Sequence, residues 1–247
     1  MDIAAATAPG PTDAALMRAR PIHRLLAPGL TTLVMLAVLL CLGTWQVHRL
    51  HWKLAILAQL ARAEAAPPIP LPANPEPYTK VAVTGTLRAD LSASYGADVR
   101  DTRNGPQLGS FLIQPLERPD APPVLVERGW IPQKRRFPIA QPQGVVTIAG
   151  FIHPADTPSW FSAKDDPVTR SFYTLDPQAI GAALGLHDVA PFILIALGPP
   201  PPELWPAPAQ HLPQPPNNHL SYAITWYGLA VALVVIFVLW ARRTLRA

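Results

Sequence analysis

Two long, uncharged apolar runs dominate the hydropathy pattern of this 247-residue chain. They cover residues 29–47 and 220–240, and each has the roughly 20 residues that a bilayer-spanning helix needs. Arginines lie outside both runs, and aromatic residues lie near the ends of the second, as is typical of membrane interfaces. The pattern therefore predicts two transmembrane helices, over 25–48 and 217–240.

A cleaved signal peptide would begin in the same way, with basic residues before an apolar core. The first run, however, exceeds the roughly 7–15 apolar residues of a signal-peptide core. The nearest Ala-x-Ala sequence, at 61–63, lies well downstream of the run. We therefore expect the first run to remain in the protein as a membrane helix.

Short β-like runs occupy the segment between the two apolar runs. They are rich in β-branched and aromatic residues and are bounded by Gly, Pro and Asp, which predicts a mainly antiparallel sheet or a small barrel. The runs cover 81–87, 110–114, 124–130, 145–152, 171–175 and 192–196. A short helix is predicted over about 177–184, with Asp176 as its N-cap and Gly185 at its end.

The expected fold class is an α+β membrane protein, in which two transmembrane helices flank a mainly antiparallel β extramembrane domain with one or two short helices. Proline-rich linkers at 67–77, 199–208 and 213–216 belong to that domain. The predicted organisation is a disordered cytoplasmic N-terminus, a first helix, the β domain, a second helix and a basic cytoplasmic tail. The corresponding ranges are 1–24, 25–48, 49–216, 217–240 and 241–247.

The distribution of Lys and Arg predicts the orientation, because these residues accumulate on the cytoplasmic side of membrane helices. The outer flanks carry Arg18, Arg20, Arg24, Arg242, Arg243 and Arg246, and the inner flanks carry Arg49, Lys53 and Arg62. Both termini are therefore expected in the cytoplasm, with the β domain across the membrane. Because no Arg- and Ser-rich transit sequence is evident, we expect a multi-pass protein of a bacterial inner membrane with a periplasmic domain.

Composition excludes several function classes. A net charge of +4 without a basic stripe argues against a nucleic-acid partner. Cys41 is the one cysteine, so neither a disulfide nor a paired-cysteine redox or metal motif can form within the chain. Soft copper ligands are lacking between the apolar runs, and no nucleophile-elbow, Walker or zinc-protease motif is present. We therefore expect a protein that is not an enzyme.

The first candidate motif covers residues 42–53, where the first helix leaves the membrane. Four of its residues, spaced by three and four, share one helix face and combine aromatic and cationic groups. They are Trp45, Arg49, Trp52 and Lys53. Such a face is typical of an interfacial anchor, with tryptophan at the lipid headgroups and the cations near phosphates.

The second candidate motif is at the entrance to the second helix. His219, Tyr222, Ala223 and Trp226 share one helix face, so an imidazole lies next to a small residue and two aromatic rings. This arrangement suits a planar macrocycle with His219 as an axial ligand of haem iron. The alternative is a hydrated interfacial histidine, because a position one turn deep remains close to water.

Both motifs adjoin the same membrane face. If the two helices pack together, Arg49 and Lys53 would offer cationic groups near the propionates of a haem bound at His219. His48 or His51 could then compete as a second axial ligand. The sequence leaves the contact between the helices open.

These two motifs resemble signatures of the Surfeit-locus family. The first is similar to Leu-Gly-x-Trp-Gln-x-x-Arg-x-x-Trp-Lys and the second to Asn-x-His-Leu-x-Tyr-Ala-x-Thr-Trp. The matching residues are Leu42, Gly43, Trp45, Gln46, Arg49, Trp52, Lys53, Asn217, His219, Leu220, Tyr222, Ala223, Thr225 and Trp226. Residues 83–86 and 124–132 resemble strand signatures of the family, whereas 154–176 fits its pattern less well.

The resemblance implies a non-enzymatic assembly factor that binds haem a transiently and assists its insertion into the catalytic subunit of a haem-copper oxidase. It implies His219 as the iron ligand, and partners that include the oxidase subunit, haem a synthase and membrane lipid. We expect Trp45, Tyr222 and Trp226 as walls of the site and Arg49 and Lys53 towards the propionates. Arg128, Gly129 and Trp130 match the family as well, but we expect them to pack the sheet.

A second hypothesis from the same residues is a membrane scaffold that stabilises an oxidase assembly intermediate without binding haem. Small residues on the two helices would then be contact positions for a partner subunit. Those residues are Gly43, Ala223, Gly228 and Ala230.

Overall fold

The computed structural model describes residues 11–102, 105–135, 137–158, 160 and 162–246. The described residues divide into two compact units, a helical unit over 11–57 and 215–246 and a β unit within 58–214. The predicted α+β class is confirmed, since a β-rich region with a short helix lies along the chain between two long apolar helices.

Helix α1 covers Pro11–Ala65, helix α2 Pro177–Ala183 and helix α3 His219–Arg246. Both α1, from Leu25 onward, and α3 are long and apolar enough to cross a membrane. Residues 1–10 of the segment predicted to be disordered lie outside the described residues. The rest of that segment, 11–24, is helical in the structure.

Helix α1 is therefore longer at both ends than the predicted span of 25–48. At its start, Pro11 occupies a first-turn position, where the missing N–H costs little, and Ala and Leu follow. At its end, residues 51–65 are mainly Ala, Leu, Gln, Arg and Glu, which are strong helix formers. The helix ends shortly before Pro67, which cannot continue it.

Helices α1 and α3 contact each other and run antiparallel in the helical unit. Gly29 faces the ring of Phe237 near one end, and Gly43 faces the ring of Tyr227 nearer the other. Thr44 Oγ1 and Tyr227 Oη lie within hydrogen-bond distance, at 3.1 Å. The sequence alone did not establish this pairing of the two helices.

The described residues of the β unit form eight strands. Their bounds are Ile69–Pro70 (β1), Lys80–Leu87 (β2), Ala93–Thr102 (β3), Gly105–Arg118 (β4), Ala121–Pro132 (β5), Val145–Pro154 (β6), Ser171–Phe172 (β7) and Phe192–Ala196 (β8). Five strands pair in the cyclic order β2–β6–β8–β5–β4, and a short pairing of β4 with β2 closes the ring. Five of the pairings between strands are antiparallel and three are parallel, so the unit is a small, mainly antiparallel barrel.

Alternate residues of the ring strands form the barrel core, as the period of two in a strand requires. The buried cluster consists of Val81, Val83, Leu87, Leu116, Val124, Val126, Ile152, Ala190, Phe192, Leu194 and Ala196. All five residues of β8 are buried, so this strand is covered on both faces. That explains its continuous apolar sequence.

Gly85 and Gly129 allow close backbone approaches in the barrel. A Cβ atom at Gly85 would overlap the Glu117 carbonyl oxygen where β2 and β4 close the ring. Gly129 has φ = +128° and lies against the Ala207 carbonyl. Next to it, Trp130 is buried and packs edge-on against Trp205, with ring centroids 5.5 Å apart. The expected packing role of Gly129 and Trp130 agrees with these contacts.

The short helix α2 forms where the sequence predicts it. Asp176 Oδ1 accepts hydrogen bonds from the backbone N–H groups of Gln178 and Ala179, at 2.9 and 3.3 Å. Gly185, with φ = +78°, follows the helix end. Strand β3 was not predicted, because Gly96 and several charged residues interrupt its apolar pattern. Strand β7 is also shorter than the predicted 171–175 run.

Candidate functional site

His219 and Gln46 meet where the two long helices of the helical unit pack together. The His219 Nδ1 atom lies 2.7 Å from Gln46 Oε1. Because an amide oxygen only accepts hydrogen bonds, Nδ1 is the protonated ring nitrogen in this contact. The lone pair of the ring is then on Nε2, which is the atom available to bind a metal.

The local sequence explains how the two side chains come together. Gly43 and Gln46 are three residues apart on one face of α1, and the missing side chain at Gly43 admits the Tyr227 ring of α3. Asn217 Oδ1 accepts a hydrogen bond of 3.4 Å from the His219 backbone N–H, which fixes the first turn of α3. Gln46 is 9% exposed, so its amide oxygen is directed at His219 from a buried position.

Two predicted site residues share a helix face with this pair. Trp226 lies two turns after His219 on α3 and is half-buried, and Ala223 between them is 3% exposed. Lys53 lies two turns after Gln46 on α1 and is also half-buried. The positions of these residues are compatible with the predicted site.

Three other predicted site residues are arranged differently. Trp45 and Tyr222 are 56% and 55% exposed, and their role as walls of the site stays a prediction. The Arg49 guanidinium lies 3.7 Å from the centre of the Trp52 ring, in a cation–π contact on the exposed surface of α1. The interfacial-anchor interpretation of Arg49 and Trp52, with the ring at the headgroups and the cation near phosphates, stays a prediction.

Gln46 is the site residue that sequence reasoning did not assign. It was part of the matched motif, but no role was given to it. The available signal was an uncharged amide inside an apolar helix, since a buried amide requires a hydrogen-bond partner. The identity of that partner, 173 residues away, could only come from the packing of the helices.

The donor atoms of the site suit a metal that brings most of its own ligands. Within the part of the chain that the structure describes, no cluster of three or more His, Cys, Asp or Glu side chains could hold a metal ion. A lone imidazole binds iron well when the other ligands come with the metal, as the four nitrogens of a porphyrin do. His219, with Nδ1 held and Nε2 available, has the arrangement of such an axial ligand.

Most of the small residues on α1 and α3 are buried within the helical unit. Gly43 contacts Tyr227, and Ala223 and Ala230 are each only 3% exposed. A Cβ atom at Gly228 would instead meet no atom within 4 Å among the described residues. Of the four positions that the scaffold hypothesis assigned to a partner subunit, Gly228 is therefore the one that faces open space.

Comparisons with known proteins agree on one family. The model of the SURF1 family matches residues 33–231, a range that includes both Gln46 and His219. The chain is 31% identical over 214 residues to a SURF1-like protein of Rickettsia conorii, covering 83% of this chain and 88% of the relative. It is 29% identical over 229 residues to Surfeit locus protein 1 of Homo sapiens, covering 83% of this chain and 73% of the relative.

Proposed function

The chain belongs to the SURF1 family, and from that premise we propose that it is a non-enzymatic assembly factor for cytochrome c oxidase. In this proposal it binds haem a transiently and assists its insertion into the oxidase catalytic subunit. The observation that carries the haem-binding part is the contact between His219 Nδ1 and Gln46 Oε1. That contact leaves an oriented imidazole lone pair next to the membrane helices.

In the proposed site, each residue has a distinct task. His219 would hold the haem iron through Nε2, and Gln46 would fix the tautomer and orientation of the ring. Trp226 offers an apolar surface to the macrocycle, and Lys53 offers a cation to a propionate. Haem a, when bound, supplies the iron and the four nitrogen donors that the chain itself does not provide.

A carrier must release what it binds, and the position of His219 suits release. It is the first residue of α3 and is half-buried, so a ligand on Nε2 would remain accessible from one side. His48 and His51 are both exposed on α1, and either would be a candidate to supply a second ligand to the iron. A weak or absent second ligand would keep haem affinity low enough for transfer to the oxidase.

We propose the following location and partners. The arginine distribution supports cytoplasmic termini and a periplasmic β unit in a bacterial inner membrane, and SURF1-like relatives from Rickettsia are compatible with a bacterial protein. The proposed partners are the oxidase catalytic subunit, haem a synthase and membrane lipid. Reporter enzymes fused at Ala247 and between the exposed residues His187 and Asp188 would test the orientation, because only the second fusion should be periplasmic.

Assembly in cells tests the function. The chain, His219→Ala and Gln46→Leu would each be expressed at matched levels in a bacterium that lacks its own SURF1 gene, and haem a in the assembled oxidase would be measured. The unchanged chain should restore the haem content, and both variants should restore much less. Full restoration by His219→Ala would contradict the carrier proposal and favour the scaffold hypothesis.

A further inference from the structure

A cavity of about 750 Å³ in the β unit borders three strands of the barrel. It is lined by Arg128 of β5, residues 146–149 of β6, Ala196 of β8 and residues of the segments 139–142 and 197–208. Val146 and Ile148 of its floor pack directly against the barrel core. The volume lies within the 300–1,000 Å³ that is typical of small-molecule sites, which often occupy the mouths of β-barrels.

The wall of this cavity is mainly apolar and rich in proline. Five of the lining residues are Pro142, Pro199, Pro201, Pro206 and Pro208. Proline fixes its own backbone angle and has no N–H group to donate. The wall is therefore stiff and offers few competing hydrogen-bond donors, so little ordering would be needed when a ligand binds.

Arg128 is the one charged side chain among the described residues that line the cavity. Its Nη1 atom donates to Gln114 Oε1 at 2.8 Å and to the Ala140 carbonyl oxygen at 2.9 Å. The Gln114 amide is itself held, because its Nε2 donates to the Ala89 carbonyl oxygen at 3.2 Å. The guanidinium is thus fixed in position from one side.

The other side of the guanidinium remains unpaired. Across the described ranges of the chain, neither Nε nor Nη2 of Arg128 has a hydrogen-bond partner, and no carboxylate contacts the group. Burial lowers the pKa of Arg128, and no acidic neighbour offsets that effect. A half-buried cation without a counter-charge is costly, and an anion that pairs with it would recover that free energy.

The unpaired edge also has a specific shape. Nε–H and Nη2–H of a guanidinium point in parallel and match the two oxygens of a carboxylate. We propose that the barrel cavity binds a small apolar molecule that bears one carboxylate, with Arg128 pairing to the carboxylate and the proline-rich wall covering the apolar body. This site lies within the β unit and goes beyond the proposed function, because it requires neither haem nor His219.

Octanoate is a suitable probe, since it is soluble and combines a carboxylate with an apolar chain. Full-length protein in lipid nanodiscs would be titrated with octanoate labelled with ¹³C at the carboxyl carbon, with the NMR shift as the readout. Wild-type protein should bind it, and Arg128→Gln should weaken binding at least tenfold. Arg118→Gln is the matched control and should bind normally, because Arg118 donates to the Pro122 carbonyl outside the cavity.

A neutral probe and a second variant keep the test decisive. Octanamide has the same chain without the charge and should bind at least tenfold more weakly than octanoate. Leu204→Trp would fill the cavity and should abolish octanoate binding. This variant tests the proposal if Arg128→Gln fails to fold.

Several outcomes would overturn the proposal. These are equal binding of octanoate and octanamide, unchanged binding by folded Arg128→Gln or by Leu204→Trp, and binding of inorganic phosphate in preference to octanoate. Loss of octanoate binding in His219→Ala would also contradict the independence of the two sites. If the protein does not bind haem, the expected results for octanoate binding remain the same.

Discussion

The Nδ1 atom of His219 is held 2.7 Å from Oε1 of Gln46, although 173 residues separate the two in sequence. A histidine that binds a metal usually donates its second ring N–H to an oxygen acceptor, which fixes the tautomer and orients the ring. Gln46 provides that acceptor from a buried position on the neighbouring helix. The pair therefore has the arrangement of a metal ligand with its supporting hydrogen bond.

Gln46→Leu should lower haem affinity about 10- to 100-fold, the range typical when the supporting hydrogen bond of a metal ligand is lost. Leucine keeps the approximate size of the side chain but removes the acceptor. Titration of the purified protein with haem, followed by absorption, measures the affinity. Gln46→Glu retains an acceptor oxygen and should bind haem well. Equal affinity of Gln46→Leu and the wild-type protein would show that Gln46 does not position His219.

Gly43→Ala should destabilise the helix pair by about 1–3 kcal/mol, the usual cost of overpacking a well-packed contact. The added Cβ atom would lie 2.8–3.1 Å from three atoms of the Tyr227 ring, so the ring would have to move. The movement would also disturb the 3.1 Å contact between Thr44 and Tyr227. Thermal unfolding in nanodiscs measures the change.

Gly228→Ala is the matched control on α3, because a Cβ atom there meets nothing within 4 Å among the described residues. It should be neutral or slightly stabilising, since alanine favours a helix more than glycine does. Equal destabilisation by Gly43→Ala and Gly228→Ala would contradict the observed packing of α1 against α3.

Glu127 should make the β unit less stable as the pH rises. It is 7% exposed, and burial raises its pKa to about 7 from an ordinary 4.5, although Arg100 lowers it in part. The folded state therefore holds a proton that the unfolded state releases between about pH 4.5 and 7. Unfolding free energy should fall by about 3 kcal/mol over that interval, at about 1.4 kcal/mol for each unit of pKa difference.

Glu127→Gln removes the ionisable group with little change in shape. It should abolish this pH dependence and make the protein more stable than the wild type at pH 8. Melting temperatures between pH 4.5 and 8 measure the effect, with Glu76→Gln at an exposed glutamate as the matched control. A wild-type protein whose stability rises through this interval would contradict the effect of burial on the Glu127 carboxyl.

Local sequence signals predicted much of this fold. Long uncharged runs marked α1 and α3, alternating apolar residues marked most ring strands, and Asp176 and Gly185 marked the ends of α2. These features depend on near neighbours in sequence. The resemblance to a known family extended the predictions from the fold class to the function.

Features that depend on distant contacts could not be predicted in the same way. Strand β3 lies in the sheet through its pairing with β4, although its own sequence alternates poorly. Closure of the ring depends on a short pairing between β2 and β4 that Gly85 permits. The role of Gln46 and the cavity around Arg128 likewise depend on segments that only tertiary structure brings together.

The haem content of the purified protein tests the central claim most directly. The wild-type chain, His219→Ala and the exposed control His187→Ala would be purified from cells that make haem a, and their absorption spectra compared at equal concentrations of folded protein. The wild type and His187→Ala should carry haem a, and His219→Ala should have lost it. Equal haem in all three proteins, or none in the wild type despite haem a in the cells, would contradict the account.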